Sequence, residues 1–253
     1  MSSSRAGNPA NPGLDSGNAA SAAAPAPASA PAGSTGAETA ADRLRLTEIF
    51  HSIQGEADAV GWPTVFIRLT GCPLRCTWCD TTYSFQGGQW WTVSDILDEV
   101  ARHRSRHVCV TGGEPLAQKR CLGLLTALCD AGYEVSLETS GALDIGTVDR
   151  RVRRVVDFKA PGSGEEARNL WSNVEHLLPH DQVKFVLADR ADYDWAVARL
   201  RQHALDGRCQ VLFSPVHGQL PPAELAQWLL EDHLPVRLQM QVHKLLWGNQ
   251  PGR

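Results

Sequence analysis

No run of apolar residues in this 253-residue chain approaches the roughly 20 needed for a membrane-spanning helix, so the sequence predicts a soluble protein. A clustered lysine and arginine footprint is missing too. The longest basic runs, at residues 102–106 and 150–154, are short, and the formal net charge is -4, so nucleic acid is not expected as a partner. The start of the chain has no positive n-region followed by an apolar h-region, and it has too few arginines for a transit peptide. Residues 1–43 hold scarcely a large apolar side chain, being mostly Ala, Ser, Pro and Gly. Such a segment cannot offset its ordering entropy, and the sequence predicts a disordered tail before a single folded domain over residues 44–253. The total of seven cysteines is odd and no secretion signal accompanies them, which predicts a reducing, cytoplasmic location. Cys109, Cys121, Cys129 and Cys209 lie scattered in apolar segments, where a reduced cysteine is a small hydrophobe.

The other cysteines are concentrated. Cys72, Cys76 and Cys79 stand in the spacing C-x3-C-x2-C, within Gly71-Cys72-Pro73-Leu74-Arg75-Cys76-Thr77-Trp78-Cys79-Asp80-Thr81. Thiolates are soft donors that suit zinc, copper(I) or an iron–sulfur cluster. A structural zinc wants four ligands, and the fourth is not local. A four-iron cluster on three cysteines leaves one iron without a protein ligand, open to a small molecule that chelates through an amino and a carboxylate group. A zinc module completed by a distant histidine stays open as an alternative at this point.

The rest of the chain alternates. Strands are predicted at residues 44–50, 64–70, 107–111, 133–138, 153–159, 182–187, 208–213 and 236–242 from apolar alternation or short apolar runs. Helices are predicted at 92–103, 115–131, 166–177, 191–204 and 222–232, with Thr92 and Asp95 placed as a capping pair for the first. Strand and helix in alternation call for parallel pairing through right-handed crossovers, hence an α/β fold. In such folds function collects in loops leaving the carboxyl ends of strands. The cysteine loop, Gly112-Gly113-Glu114-Pro115, Glu138-Thr139-Ser140-Gly141, Asp157-Phe158-Lys159 and Ser214-Pro215-Val216-His217 all fall there, which predicts one shared rim.

The cysteine spacing resembles the signature of radical S-adenosylmethionine (SAM) enzymes. Thr111-Gly112-Gly113-Glu114-Pro115 resembles the segment that receives the SAM amino group in them, where glycine lets backbone approach a ligand and an acidic residue suits an ammonium. The opening Glu48-Ile49-Phe50-His51-Ser52-Ile53-Gln54-Gly55-Glu56 and the closing Gln241-Val242-His243-Lys244-Leu245-Leu246-Trp247-Gly248-Asn249 are similar to one family, 7-carboxy-7-deazaguanine synthase, over about residues 44–253.

The resemblance implies a partial, TIM-like barrel of parallel strands. It also implies ring contraction of 6-carboxy-5,6,7,8-tetrahydropterin to 7-carboxy-7-deazaguanine with loss of ammonia, on the route to queuosine and other deazapurines. An electron from a 4Fe-4S cluster would cleave SAM to a 5'-deoxyadenosyl radical that takes hydrogen from C6 of the pterin, SAM being regenerated. By the same resemblance Cys72, Cys76 and Cys79 hold the cluster and Thr81 is a magnesium ligand, a hard oxygen donor for a cation that keeps much of its octahedron for substrate and water. Trp78, Cys79, Asp80 and Gly113 match SAM contacts, as do Asp157, Phe158 and Lys159, and Ser214, Pro215, Val216 and His217. Ile53, Gln54, Gly55 and Glu56 match the substrate-binding opening, Arg68 would fork onto the substrate carboxylate, and Thr111 matches a substrate contact.

A flavodoxin or ferredoxin as electron donor and a homodimer are likewise implied. The chain departs from the pattern at Ala57, where the family usually has glycine, and in the tail 249–253, longer than in relatives that end near a substrate-contacting proline. His243 and Trp247 stand between a packing role and a pocket role. Another radical SAM enzyme, such as a glycyl-radical activase, is the alternative enzyme, although those lack the Gln54-Gly55-Glu56 opening.

Overall fold

The computed structural model describes residues 43–248 together with Gln250 and Gly252. The segment read as a disordered tail, and the end of the C-terminal extension at Arg253, lie outside the described residues apart from Arg43. Arg43 opens β1 (Arg43–Ile53), which runs antiparallel to β2 (Pro63–Leu69) on one side and to β3 (Gln89–Thr92) on the other. From β2 onward every neighbour is parallel: β4 (His107–Gly112), β5 (Glu134–Thr139), β6 (Arg153–Asp157), β7 (Gln182–Leu187), β8 (Gln210–Pro215) and the two-residue β9 (Arg237–Leu238). Among the described residues the order is β3-β1-β2-β4-β5-β6-β7-β8-β9, with β3 and β9 at its two ends. The expected incomplete barrel of parallel strands is therefore present from β2 to β9, extended at one edge by the antiparallel pair β1 and β3.

The central strands read as near-continuous apolar runs because both their faces are covered, as parallel strands require. Val108, Cys109 and Val110 of β4 are all solvent-free, and so are Val183, Phe185 and Leu187 of β7. Helices α1 (Val93–Arg102), α2 (Cys121–Asp130), α3 (Arg190–His203) and α4 (Pro222–Glu231) supply the outer layer, burying Ile96 and Val100, then Leu124, Leu125 and Leu128, then Tyr193 and Leu200, then Leu225. The predicted cap of α1 forms: Asp95 N–H donates to Thr92 Oγ1 at 3.1 Å and Thr92 N–H to the Asp95 carboxylate at 3.4 Å.

Three elements depart from the periodicity reading, each because a polar side chain claims the backbone. The predicted helix at 115–131 begins only at Cys121, since the buried Glu114 carboxylate accepts from Leu116 N–H at 3.0 Å and sets a separate 3-10 turn, Pro115–Ala117. The predicted helix at 166–177 is two 3-10 turns, Glu166–Arg168 and Trp171–His176. Between them Asn169 accepts from Lys159 N–H at 2.8 Å and donates to Lys159 O at 2.9 Å, holding its own segment out of helical register. The predicted strand at 236–242 stops at Leu238, because Gln239 turns inward to accept from Ala57 N–H at 3.0 Å, and Val242–Trp247 forms a short helix, α5.

Candidate active site

The carboxyl ends of β2, β4, β5, β6 and β8 open into one cavity of about 330 Å³. The predicted shared rim is thus present, with β7 added through Lys184 and Val186.

The cysteine loop leaves β2 through Gly71, whose φ of +97° places it in the left-handed region that suits glycine. Regular structure is missing from the loop, yet it is clamped. Cys79 N–H donates to Cys76 O at 3.2 Å, Thr77 N–H to Ser163 O at 3.0 Å and Thr77 Oγ1 to Gly162 O at 2.9 Å. Arg75 donates to Cys72 O at 2.8 Å, and its guanidinium stands 4.3 Å over the Phe85 ring. Buried Leu74 pins the middle of the loop and sends its N–H toward Cys72 Sγ at 3.4 Å.

Cys72, Cys76 and Cys79 all line the cavity, half-buried, and none is in a disulfide. Burial pushes the Cys76 thiol up to about 11 and raises Cys72 as well, despite nearby Lys159, so these groups become thiolates only when a metal takes the proton's place. The donor set, three soft thiols from one loop, fits an iron–sulfur cluster that keeps one iron free of protein ligands.

Beside the start of the cysteine loop, β4 ends at Gly112 and the chain leaves it through Gly113. A Cβ on Gly113 would fall 1.9 Å from Gly71 O, so the two loops touch backbone to backbone; Glu114 N–H donates to that same carbonyl at 2.7 Å. Ser84 stitches the contact from the other side, accepting from Gly113 N–H at 3.0 Å on its hydroxyl and from Gly71 N–H at 2.8 Å on its carbonyl. The expectation that the Glu114 carboxylate meets an ammonium is corrected here. It is fully buried and accepts from Ser140 N–H at 2.7 Å, Ser140 Oγ at 2.6 Å, Thr139 Oγ1 at 2.9 Å and Leu116 N–H. With these donors on it, Glu114 joins β4 to β5, and the glycine backbone alone faces the cavity.

Asp157 and Lys159, at the end of β6, line the same space, 3.2 Å apart. Burial alone would depress the Lys159 ammonium, but the Asp157 carboxylate beside it raises it on balance, so it stays charged. Asp157 lines the cavity, and its Oδ1 is buried without a partner, an unused acceptor in the wall the SAM reading assigns. Val216 and His217 complete that wall after β8.

The other wall carries Glu56, Arg68, Thr111 and Glu138. Arg68 is aimed by Glu48, which accepts from its Nε at 2.8 Å and from Tyr83 Oη at 2.8 Å; the guanidinium also lies over the Phe50 and Tyr83 rings at 5.7 and 5.9 Å. Burial pushes the Tyr83 phenol up to about 12, so it remains a donor. Thr111 Oγ1 donates to Glu138 at 3.2 Å. Trp78, Asp80 and Thr81 line the cavity between the walls, with Thr81 Oγ1 3.7 Å from Cys79 Sγ and Asp80 paired to Lys244 of α5 at 2.8 Å.

Not every predicted residue faces the space. Phe158 is a core ring stacked on Trp171 at 4.5 Å, and Ser214 and Pro215 are buried at the end of β8. Ile53, Gln54 and Gly55 lie behind Glu56: Gln54 accepts from Glu56 N–H at 3.1 Å, and Gly55 O accepts from Val242 N–H at 3.0 Å. A Cβ at Gly55 would strike the His243 ring at 2.1 Å, so His243 packs on this turn. Ala57 does sit in the left-handed region, φ +62°, where the family's glycine would be unstrained.

Glu138 lines the cavity, as its place on the predicted rim implies, whereas periodicity missed Lys184, Gln241 and Lys244 as cavity residues. Lys184 left a usable signal: one charge inside the apolar strand Gln182–Leu187 is rarely buried without a partner.

Comparison with known proteins bears on this geometry. Residues 66–160, from β2 just past Lys159, match the model of the Radical SAM superfamily. A 7-carboxy-7-deazaguanine synthase of Chlorobaculum tepidum is 45% identical over 81% of this chain and 94% of its own length. One of Koribacter versatilis is 42% identical, covering 81% of this chain and 97% of its own. The crystal structure of QueE from Escherichia coli superposes with a TM-score of 0.66 at 24% identity, over 79% of this chain and 94% of that one, and supports the fold.

Proposed function

Since this chain belongs to the 7-carboxy-7-deazaguanine synthase family of radical SAM enzymes, we propose that it contracts 6-carboxy-5,6,7,8-tetrahydropterin to 7-carboxy-7-deazaguanine, releasing ammonia on the queuosine route. The observation that carries the residue assignments is the cavity itself, where three free thiols, a glycine turn and two walls that each carry both signs of charge converge.

Cys72, Cys76 and Cys79 would hold the 4Fe-4S cluster, and Trp78, Asp80, Gly113, Asp157, Lys159, Val216 and His217 would surround SAM. When bound, cluster and SAM supply one-electron carbon–sulfur cleavage and hydrogen-atom abstraction; the chain supplies placement and charge. Gly112 and Gly113 line the cavity and would present backbone to the amino-acid end of SAM, and Asp157 would offer a carboxylate acceptor. On the facing wall Glu56 would accept from the donor edge of the pterin, and Arg68 would take its carboxylate. Thr81, the hydroxyl beside Cys79, would be the one protein ligand of a magnesium ion otherwise held by substrate and water.

A flavodoxin or ferredoxin would deliver the electron. Exposed Leu245 and Leu246 on α5 are apolar surface that a second copy in a homodimer would cover, and seven unpaired cysteines suit a reducing cytoplasm.

The test is an anaerobic assay of the reconstituted enzyme with carboxytetrahydropterin, SAM, dithionite and magnesium, and with each omitted. Product and ammonia should appear only when pterin, SAM and reductant are all present; no product in the complete mixture overturns the reading. Arg68→Lys should raise KM for the pterin about tenfold to a hundredfold with a smaller change in kcat, because a lysine cannot both keep Glu48 and present a fork. An unchanged KM would remove Arg68 from the substrate wall.

A further inference from the structure

Lys184 stands on β7 with only 8% of its surface exposed, and its ammonium reaches into the cavity between two carboxylates. Nζ lies 2.7 Å from Glu56 Oε2 and 3.3 Å from Asp157 Oδ2. Glu56 belongs to the wall assigned to the pterin and Asp157 to the wall assigned to SAM, so this one cation touches both. The second oxygen of Glu56 accepts from Gln241 Nε2 at 2.8 Å, and Gln54 Oε1 accepts from the Glu56 backbone N–H at 3.1 Å. The carboxylate is therefore held on both oxygens, while each keeps a further lone pair for a ligand.

Resting on the functional reading above, we infer that Lys184 is a positioning residue that keeps buried Glu56 ionised and aimed, as the acceptor for the N–H donors of the pterin's pyrimidine edge. A protonated carboxyl there would present one donor of its own and lose half of its accepting capacity, which mismatches a ligand edge made of donors. Burial favours that protonated form, and the attraction and hydrogen bond of Lys184 outweigh it, holding Glu56 down at about 2. Gln241 and His243, from the segment carrying α5, also face Glu56; Asp157 of β6 and Glu138 of β5 act on Lys184 and keep it charged. Removing Lys184 leaves the burial and deletes the largest countercharge.

The sign follows. In the wild type Glu56 stays ionised across the neutral range, and pterin binding does not respond to pH through it. In Lys184→Met its pKa moves up, so lowering the pH protonates it and weakens binding. The test uses the reconstituted holoenzyme with SAM and no reductant, titrated with oxidised 6-carboxypterin by fluorescence between about pH 6 and about pH 8.5. Lys184→Met should bind about tenfold more weakly at the alkaline end and lose several-fold more toward the acid end relative to wild type; Lys184→Arg should restore the wild-type profile. His243 is present in every variant, so the comparison isolates Lys184.

Equal affinity in Lys184→Met and wild type, or a loss by the same factor at every pH, overturns the inference. If Lys184→Met does not fold, Glu56→Gln decides: it should bind about tenfold more weakly with no added pH dependence, and unaltered affinity overturns the role of Glu56 and with it that of Lys184. Failure of the wild type to bind the pterin at all would instead defeat the functional reading beneath both.

Discussion

Cys76→Ala is expected to remove both the brown iron–sulfur chromophore and turnover, the latter by at least about a thousandfold, roughly 4 kcal/mol of lost transition-state stabilisation. Three thiols line the cavity, and the remaining cysteines cannot replace one of them: Cys109, Cys121 and Cys209 are buried in the core, and Cys129 lies on the outer helix α2. The loss should be specific to the site. The loop's shape rests on Leu74, on the Arg75 contacts and on the Thr77 bonds to 162 and 163, none of which uses the Cys76 sulfur. Thermal unfolding of the metal-free protein should therefore be little changed. Absorbance after anaerobic reconstitution and the pterin assay check the prediction, and a variant that keeps both would refute the ligand assignment.

Glu114→Ala is expected to cost about 3–5 kcal/mol of stability, a large part of what a domain of this size holds. The carboxylate is buried and accepts from two backbone N–H groups and two hydroxyls that join the loop after β4 to the end of β5. Truncation strands those donors without water, and each unsatisfied buried group costs about 1–3 kcal/mol, less when neighbours relax together. Urea unfolding measures the loss. SAM binding should weaken in parallel, because Gly113 is placed by the same turn; a change below about 1 kcal/mol would show that the network is dispensable.

The strands were legible where burial makes them continuous apolar runs, as at His107–Gly112 and Gln182–Leu187, and α1 where apolar spacing met a capping pair. The antiparallel β3 was not, since Gln89-Trp90-Trp91-Thr92 is short and takes its pairing from β1. The helix read at 166–177 failed because Asn169 prefers the backbone of Lys159, a contact ten residues away that no local pattern encodes. Of the site, the cysteine loop and the glycine turn announced themselves by spacing. Lys184, Gln241 and Lys244 did not, because what marks them is the partner each finds across the barrel.

Two layers of information separate cleanly in this chain. The order of residues alone determined the chemistry offered, three soft donors in one loop, and the alternation that makes a parallel sheet, because ligand type and side-chain periodicity are local properties of the chain. Tertiary structure decided which charges face one another. Glu56, Asp157 and Lys184 are separated by up to 128 residues in the chain yet lie within hydrogen-bonding or ion-pair reach, and Glu114 is turned from a ligand candidate into a structural tie. Such pairings are set by strand order and register, which bring distant residues into a space where water is scarce and an unmatched charge is costly.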